Sequence, residues 1–164
     1  NFALNENSET FVSSFDQMNF TCCNKHRIYI NNPDELEDGI FAVSQGNFVI
    51  GKTKIISADE IEVRLLSDPD EYISIKTING FFCIAKGTGK ARQISCLNES
   101  KAVSYSDGDT FFTTGFDGIY PPGLIVGRLK NISSSQTNLF QQNLEIELFF
   151  DPYQSINKKV ILHE

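Results

Sequence analysis

Few side chains in this sequence could carry out nucleophilic or acid–base chemistry. A serine or cysteine hydrolase needs a nucleophile, a histidine base and an acid that orients the histidine. The only histidines are His26 and His163. His26 precedes a predicted strand and is expected to be a solvent-exposed turn residue, whereas His163, the penultimate residue, is expected to fray. The sequence therefore predicts no catalytic residue, and a chymotrypsin-like hydrolase on two barrels is kept only as an alternative function.

The acidic side chains that could bind calcium or cleave a glycoside lie in predicted turns. Asp68, Asp70 and Glu71 form one group, and Asp107 and Asp109 form another. Asp is favoured in turns because its carboxylate accepts hydrogen bonds from nearby backbone N–H groups, and this interpretation is favoured over paired catalytic carboxylates or a calcium site. No metal and no cofactor are predicted.

The four cysteines, Cys22, Cys23, Cys83 and Cys96, could bind zinc or form disulfides. They form no CxxC pair and no histidines cluster near them, so a zinc site is not expected. Adjacent residues of a strand point to opposite faces, and a bond between Cys22 and Cys23 is therefore not expected. Cys83 and Cys96 could form a disulfide across a hairpin in an oxidising compartment, or remain buried thiols.

The overall charge of the chain argues against two classes of partner. Its 164 residues carry a net charge of −7, whereas nucleic acids and anionic lipid surfaces both require a basic footprint. Hydrophobic residues make up 40% of the sequence, which is enough for a folded domain without a metal. No stretch approaches the roughly 18 apolar residues of a membrane-spanning helix.

The elements that would position any site are strands. Apolar and polar residues alternate with period 2 in several runs, which is typical of half-buried strands, and these runs include residues 27–31, 60–65, 72–78, 144–148 and 160–162. Turn residues separate them at intervals of roughly ten residues, as in a sandwich or barrel. We therefore predict an all-β fold.

The predicted domain organisation has three parts. Residues 1–18 form a short polar extension, in which Leu4, Phe11 and Phe15 have helical spacing. Residues 19–79 form a first β-barrel module and residues 80–164 a second, both small and of the six-stranded type, with the boundary at Asn79-Gly80. Exchange of a strand between the modules is compatible with this order, because the last strand is free to return to the first module.

The densest motif lies at residues 108–127, which contain several of the glycines and the pair Pro121-Pro122. Two consecutive prolines cannot lie in a central strand, since each lacks a backbone donor. The turn that follows them predicts a positive φ at Gly123. The motif is therefore expected to form a rigid corner between two barrel strands.

This motif resembles the C-terminal signature of the MreC family. The pattern is carried by Gly108, Asp109, Thr113, Gly115, Gly118, Pro121, Gly123, Val126 and Gly127. Two weaker similarities lie upstream in the family's order: residues 38–52, which include Gly51, and the segment Leu65-Leu66-Ser67-Asp68-Pro69. The resemblance extends over roughly residues 19–164, and only the motif at 108–127 is specific.

The resemblance implies a function that neither composition nor periodicity indicates. MreC-like proteins are non-enzymatic scaffolds of the bacterial cell-elongation machinery, built from two small β-barrels. The resemblance implies a periplasmic location and an inner-membrane anchor N-terminal to this sequence, and it places residues 1–18 at the end of a coiled-coil region. It also implies self-association into homo-oligomers and binding to a penicillin-binding transpeptidase. A carbohydrate-binding module of the cell envelope remains a second alternative.

Three aromatic residues are candidates for exposed partner-binding positions. Phe149 alternates with the apolar face of residues 144–150, and Tyr29 alternates with Ile28 and Ile30. Tyr120 lies in the corner motif. Exposed aromatic side chains often anchor interfaces, although the same positions would be filled by a second layer of core in a barrel flank.

Overall fold

The computed structural model describes residues 7–98, 105–134 and 141–164, and most of their regular structure is β-strand. The all-β fold class predicted from the alternation is confirmed. The strands are β1 (Asn7–Phe15), β2 (Arg27–Asn31), β3 (Ala42–Gln45), β4 (Phe48–Ile56), β5 (Glu60–Leu65), β6 (Tyr72–Lys76), β7 (Phe82–Gly87), β8 (Gln93–Asn98), β9 (Thr110–Thr113), β10 (Ile125–Ser134), β11 (Gln142–Leu148) and β12 (Lys159–His163). A short helix, α1 (Gln17–Cys22), and a 3-10 turn at Pro152–Gln154 complete the described structure.

The first barrel consists of six strands in the order β1, β2, β5, β4, β3 and β12, and the pairing of β12 with β1 closes it. Its interior is filled by alternate residues of each strand, as expected for a small closed barrel. These buried residues include Val12, Ile28, Ile30, Val43, Ile50, Ile61, Val63, Leu65, Val160 and Leu162.

The second barrel consists of β6, β7, β8, β11, β10 and β9, and the pairing of β9 with β6 closes it. Its core includes Ile73, Ile75, Ala85, Ile94, Cys96, Phe111, Val126, Leu129, Leu144 and Ile146. All of its strand pairs are antiparallel, so neighbouring strands need only short connections.

The barrels meet where β4 and β10 run parallel to each other at Phe48 and Ile125. The backbone N–H of Ile125 donates to the carbonyl of Asn47 at 2.8 Å. Nearby, the rings of Phe48 and Phe149 pack edge to face with their centroids 5.7 Å apart. The two barrels are therefore joined by both backbone and side-chain contacts.

The change from one barrel to the other occurs earlier in the chain than the predicted boundary at residues 79 and 80. β6 pairs with β7 and β9 of the second barrel, so the connection between barrels lies between β5 and β6. The last strand, β12, returns to the first barrel. The turn at Asn79-Gly80 is a hairpin turn inside the second barrel, and turn chemistry alone does not distinguish a hairpin from a linker.

Residues 7–18 do not form the predicted helical extension. Residues 7–15 are strand β1, which pairs with β12 on one side and β2 on the other. Thr10 and Val12 point into the barrel, while Phe11 is exposed. Helical structure begins only at Gln17, after Asp16 caps α1 by accepting a hydrogen bond from the N–H of Asn19. Pairing on both edges outweighs the weak helical spacing of the phenylalanines; Leu4 lies outside the described residues.

Both pairs of cysteines form disulfides, Cys22 with Cys23 and Cys83 with Cys96. The expectation that Cys22 and Cys23 would not bond is wrong. It assumed that both residues lie in one strand, whereas Cys22 ends α1 and Cys23 is the extended residue that caps it. Of the two outcomes left open for Cys83 and Cys96, the structure has the disulfide.

Candidate partner-binding face

The outer surface of β6, β7 and β8 presents a row of large apolar side chains to solvent. We use the name apolar face for the surface formed by Tyr72, Phe82, Ile84, Leu97 and Phe116. Their exposed fractions run from 53% at Tyr72 to 77% at Phe116. Single exposed apolar residues are ordinary, but a contiguous set on one sheet surface marks an interaction site.

Four side chains of the apolar face, those of Tyr72, Phe82, Ile84 and Phe116, line a shallow groove. The rings of Phe82 and Phe116 meet edge to face, with centroids 6.2 Å apart. At one side the ammonium of Lys86 lies 5.5 Å from the centre of the Tyr72 ring. The groove between Tyr72, Phe82 and Phe116 has a volume of about 280 Å³, and its few polar lining residues include Ser74 and Asp117.

Asp117 holds the loop that presents Phe116. Its carboxylate accepts hydrogen bonds from the backbone N–H groups of Ile119 and Tyr120, each at 3.1 Å, and from Ser74 of β6 at 3.3 Å. The hydroxyl of Thr114 also donates to the Ser74 hydroxyl at 2.8 Å. The loop is therefore attached to β6, and Phe116 projects beside the outward residues of that strand.

The corner motif builds this loop as the sequence predicts. The Thr113 hydroxyl donates to the carbonyl of Pro121 at 2.5 Å and accepts from the N–H of Leu124 at 2.9 Å, which closes the loop at its base. The positive φ expected at Gly123 is confirmed at +87°. Gly115 and Gly118 also have positive φ, a conformation that residues with a Cβ adopt only at a cost.

The remaining motif residues have structural positions around this corner. Gly108 lies in the turn before β9, and Asp109 accepts a hydrogen bond from the N–H of Ser106 at 2.8 Å. Val126 is buried in the core of the second barrel. At Gly127 an added Cβ would lie 2.2 Å from the carbonyl oxygen of Glu147 on β11. Gly51 of the first barrel is equally crowded, at 1.9 Å from the carbonyl oxygen of Arg64.

The three aromatic residues predicted to be exposed have different environments. Tyr120 is only 2% exposed and belongs to the second barrel's core, so the prediction of an exposed ring there is wrong. Burial raises the pKa of its hydroxyl, and the carboxylates of Glu71 and Asp117 add to this effect. Tyr29 is half-buried beneath the guanidinium of Arg27. Phe149 is half-buried and packs on Phe48; a partner-binding role for Tyr29 and Phe149 stays a prediction.

The apolar face itself was not predicted from the sequence. Residues 81–85 are all apolar, so both surfaces of β7 are apolar rather than one. Along a strand of an isolated barrel, apolar and polar residues would alternate, and the loss of this alternation was the available signal. A run of this kind is equally typical of a strand buried on both faces, and only the fold shows that Phe82 and Ile84 point to solvent.

The structure places His26 beside two groups that a hydrolase could use, but their arrangement does not match a catalytic triad. Nδ1 of His26 lies 2.7 Å from the hydroxyl of Ser67, whereas Asp68 accepts from the backbone N–H of His26 at 3.0 Å rather than from its ring. All three residues are at most 2% exposed. This geometry supports a structural role at the base of the segment that connects the barrels.

His26 is thus buried, not exposed as expected from its position before a strand. Its ring packs against that of Phe20, with centroids 4.5 Å apart. Burial lowers the pKa of the His26 imidazole, and the nearby carboxylate of Asp68 offsets part of this effect. His26 is covered by α1 through Phe20, which belongs to the core of the first barrel.

The position of His163 near the end of the sequence predicts a frayed residue, but the structure places it in a paired strand. β12, which contains it, pairs with both β3 and β1. Its Nε2 lies 2.8 Å from the Ser44 hydroxyl. Burial lowers the pKa of this imidazole as well.

Two further features bear on function within the part of the chain that the structure describes. No group of three or more His, Cys, Asp or Glu side chains could hold a metal ion among these residues. None of the described helices has the length and apolar character needed to cross a lipid bilayer.

Comparison with known proteins gives one family. The family model described as "Rod shape-determining protein MreC, barrel core" matches residues 24–161. A solved MreC structure aligns over 98% of this chain and 88% of its own, with a TM-score of 0.83 and 19% identity. The comparison with curated proteins finds no match at a significant level.

Two further solved structures share the fold. One is the complex between penicillin-binding protein PBP2 and MreC from Helicobacter pylori, with a TM-score of 0.71 and 17% identity over 96% of this chain and 97% of that one. The other is the major periplasmic domain of the cell shape-determining filament MreC, with a TM-score of 0.70 and 15% identity over 96% of this chain and 95% of that one. At these identities the structural similarity shows the fold alone.

Proposed function

This chain belongs to the MreC family of rod shape-determining proteins, and from that premise we propose that it is a non-enzymatic periplasmic scaffold of the cell-elongation machinery. It binds a penicillin-binding transpeptidase through the apolar face of the second barrel. It self-associates, and it is held at the inner membrane by an anchor N-terminal to this sequence. The transpeptidase assignment is supported by the H. pylori complex, and the location and self-association by the filament-forming periplasmic domain of the same fold.

The apolar face is the observation that carries this proposal. Exposed aromatic side chains around a groove provide the anchoring pocket that a protein interface needs at its centre. An acidic chain with exposed apolar residues suits a protein partner rather than a nucleic acid. The charged side chain beside the groove, Lys86, would lie at the polar rim of such an interface.

The apolar face suits a protein segment better than a carbohydrate. Sugar binding requires free hydrogen-bonding groups next to the aromatic rings, in addition to stacking. The carboxylate of Asp117 already accepts from three backbone N–H groups, and the Ser74 hydroxyl, which accepts from Thr114, can offer a sugar only one O–H donor. The residues that line the groove include no Asn or Gln. An apolar segment of a protein partner would fill the groove without needing those groups.

The test is binding of the double variant Phe82→Ala/Phe116→Ala to the periplasmic part of the transpeptidase. Both rings are exposed, so the melting temperature should change little, while the affinity should fall by about 30-fold or more, the loss expected at a binding hot spot. The matched control is Phe11→Ala, an exposed phenylalanine on β1 of the first barrel, which should bind as the wild type does. Wild-type affinity in the double variant would exclude the apolar face as the binding surface.

Self-association is tested separately by sedimentation of the wild-type protein over a concentration series. We expect the average mass to rise with concentration. A protein that stays monomeric at the highest concentration would contradict this part of the proposal.

A further inference from the structure

The Cys83–Cys96 disulfide lies directly behind the apolar face. Along β7 the exposed residues Phe82 and Ile84 alternate with Cys83, which points inward. On β8 the buried Cys96 precedes the exposed Leu97. The disulfide therefore joins the inner sides of the two strands whose outer sides carry three of the five residues of the apolar face.

The disulfide lies where the backbone pairing of the second barrel is short. Among the described residues the ladder between β7 and β8 consists of two pairs, Lys86 with Ser95 and Gly87 with Ile94. By contrast, β7 forms five pairs with β6, and β8 forms six with β11. Cys83 and Cys96 lie beyond the end of the β7–β8 ladder, with their Cα atoms 6.3 Å apart, a separation that a disulfide spans without moving the backbone.

We infer that the Cys83–Cys96 disulfide positions the apolar face by holding β7 against β8, so that partner binding depends on this bond. The inference rests on the proposed function of that face. Without the bond, the described β7–β8 ladder would end at Lys86 and Ser95, and no ladder pair among the described residues would hold the strands where Phe82 and Leu97 lie. The spacing between these side chains would then vary, and binding would have to order them at a cost in affinity.

Reduction by a dithiol would release this constraint. The dithiol gives two electrons and two protons to the Cys83–Cys96 bond, which becomes two thiols, and is itself oxidised to a disulfide. Extracellular and periplasmic compartments keep such bonds oxidised, so the bound state is favoured where we propose that this protein works.

The second disulfide provides a matched control within the same chain. Cys22 and Cys23 are adjacent and exposed at the end of α1, on the first barrel. Their bond does not link two strands, and it does not lie behind any residue of the apolar face. Replacing both residues removes one disulfide, as the test variant does, but leaves the β7–β8 pair linked.

The experiment compares Cys83→Ser/Cys96→Ser with Cys22→Ser/Cys23→Ser, using amide hydrogen exchange and binding to the transpeptidase. We expect exchange to rise at least tenfold in β7 and β8 of the first variant while β2 and β5 of the first barrel stay protected. Its affinity should fall by about tenfold or more, and the control should match the wild type in both measurements. Reduction of the control variant with dithiothreitol should reproduce the loss, which excludes an effect of the serine side chains.

The hydrogen-exchange result does not depend on the partner. Unchanged exchange in β7 and β8 of the Cys83→Ser/Cys96→Ser protein would overturn the inference even if the transpeptidase binds. Increased exchange with unchanged affinity would overturn the link between the bond and binding. A wild-type protein that fails to bind the transpeptidase would instead contradict the proposed function, and it would leave the exchange measurement to decide the role of the bond in holding the strands.

Discussion

The two barrels are built on similar frames but expose different side chains. In each, a strand packs tightly against the next strand at a glycine, Gly51 on β4 and Gly127 on β10. The strands β12 and β1 of the first barrel occupy the places that β6 and β7 occupy in the second, and their outer surface has charged groups. There the ammonium of Lys159 lies 3.4 Å from the carboxylate of Glu9, and both side chains are exposed. The corresponding position on the second barrel is the apolar face.

This difference distinguishes the residues that the barrel fold requires from those that partner binding requires. The glycines are needed by any sequence that forms these barrels, because the backbone of the neighbouring strand occupies the place of a Cβ. The outward side chains are not constrained in this way: a charged pair is as compatible with the frame as a phenylalanine. An apolar outer surface therefore points to a partner, since solvent exposure gives it no advantage in the isolated domain.

The largest effect is expected from substitutions at the two glycines where neighbouring strands pack tightly in each barrel. Gly51→Ala and Gly127→Ala would each place a methyl group about 2 Å from a backbone carbonyl oxygen, and the strands could not separate without loss of ladder hydrogen bonds. We expect each variant to lose about 3 kcal/mol or more of unfolding free energy, at the upper end for overpacked sites. Urea unfolding of both proteins measures this loss.

The control for this prediction is Gly118→Ala, where an added Cβ meets no atom within 4 Å. Only its positive φ opposes the substitution, at a cost of about 1–2 kcal/mol. If alanine is tolerated at Gly51 but not at Gly127, or the reverse, the strands of the two barrels pack less similarly than their pairing indicates.

A smaller effect is expected at the contact between the barrels. Phe149→Ala should cost about 1–2 kcal/mol, less than the roughly 3–5 kcal/mol of a fully buried phenylalanine, because the ring is half-buried and packs mainly on Phe48. Thermal melts of Phe149→Ala, Phe48→Ala and the double variant measure the coupling, which should be about 0.5–1.5 kcal/mol for an aromatic pair. Additive effects would show that the two rings do not stabilise the junction jointly.

The smallest effect concerns the buried ionisable groups of the first barrel. Since burial lowers the pKa of folded His26, the unfolded chain binds a proton there more readily than the folded protein. The stability present above the ordinary histidine pKa of about 6.5 should be lost as the pH falls from that value towards the pKa of the folded state. The melting temperature should therefore fall as the pH is lowered from 7.5 to 5.5, and it should fall less in His26→Asn than in the wild type.

His163 titrates in the same direction, because burial lowers its pKa too, so His163→Gln serves as the comparison. Glu71, whose pKa burial raises, acts in the opposite direction at lower pH and is unchanged in both variants. An equal decrease in the wild type and in His26→Asn would show that the buried imidazole does not set the acid sensitivity.

The sequence by itself determined the features that depend on neighbouring residues along the chain. Period-2 alternation marks the strands because successive side chains point to opposite faces, and turn residues mark most of their ends. Positive φ at Gly123 follows from the local corner formed after Pro121-Pro122. The motif that resembles the MreC family is local in the same sense, and the family assignment it suggested is confirmed.

The tertiary structure alone decided which of the two faces of each strand is covered. Alternation defines two faces but does not show what packs on the second. Tyr120 is buried, although an exposed ring was expected, and Phe82 is exposed, although its all-apolar run is equally typical of a strand buried on both faces. His26 is buried because α1 and the segment connecting the barrels fold over it, and β12 joins the first barrel by pairing with residues more than 100 positions earlier in the chain. Whether a side chain is buried depends on contacts between segments that are distant in the sequence. The local pattern of a strand therefore could not show which of its apolar residues would form the apolar face.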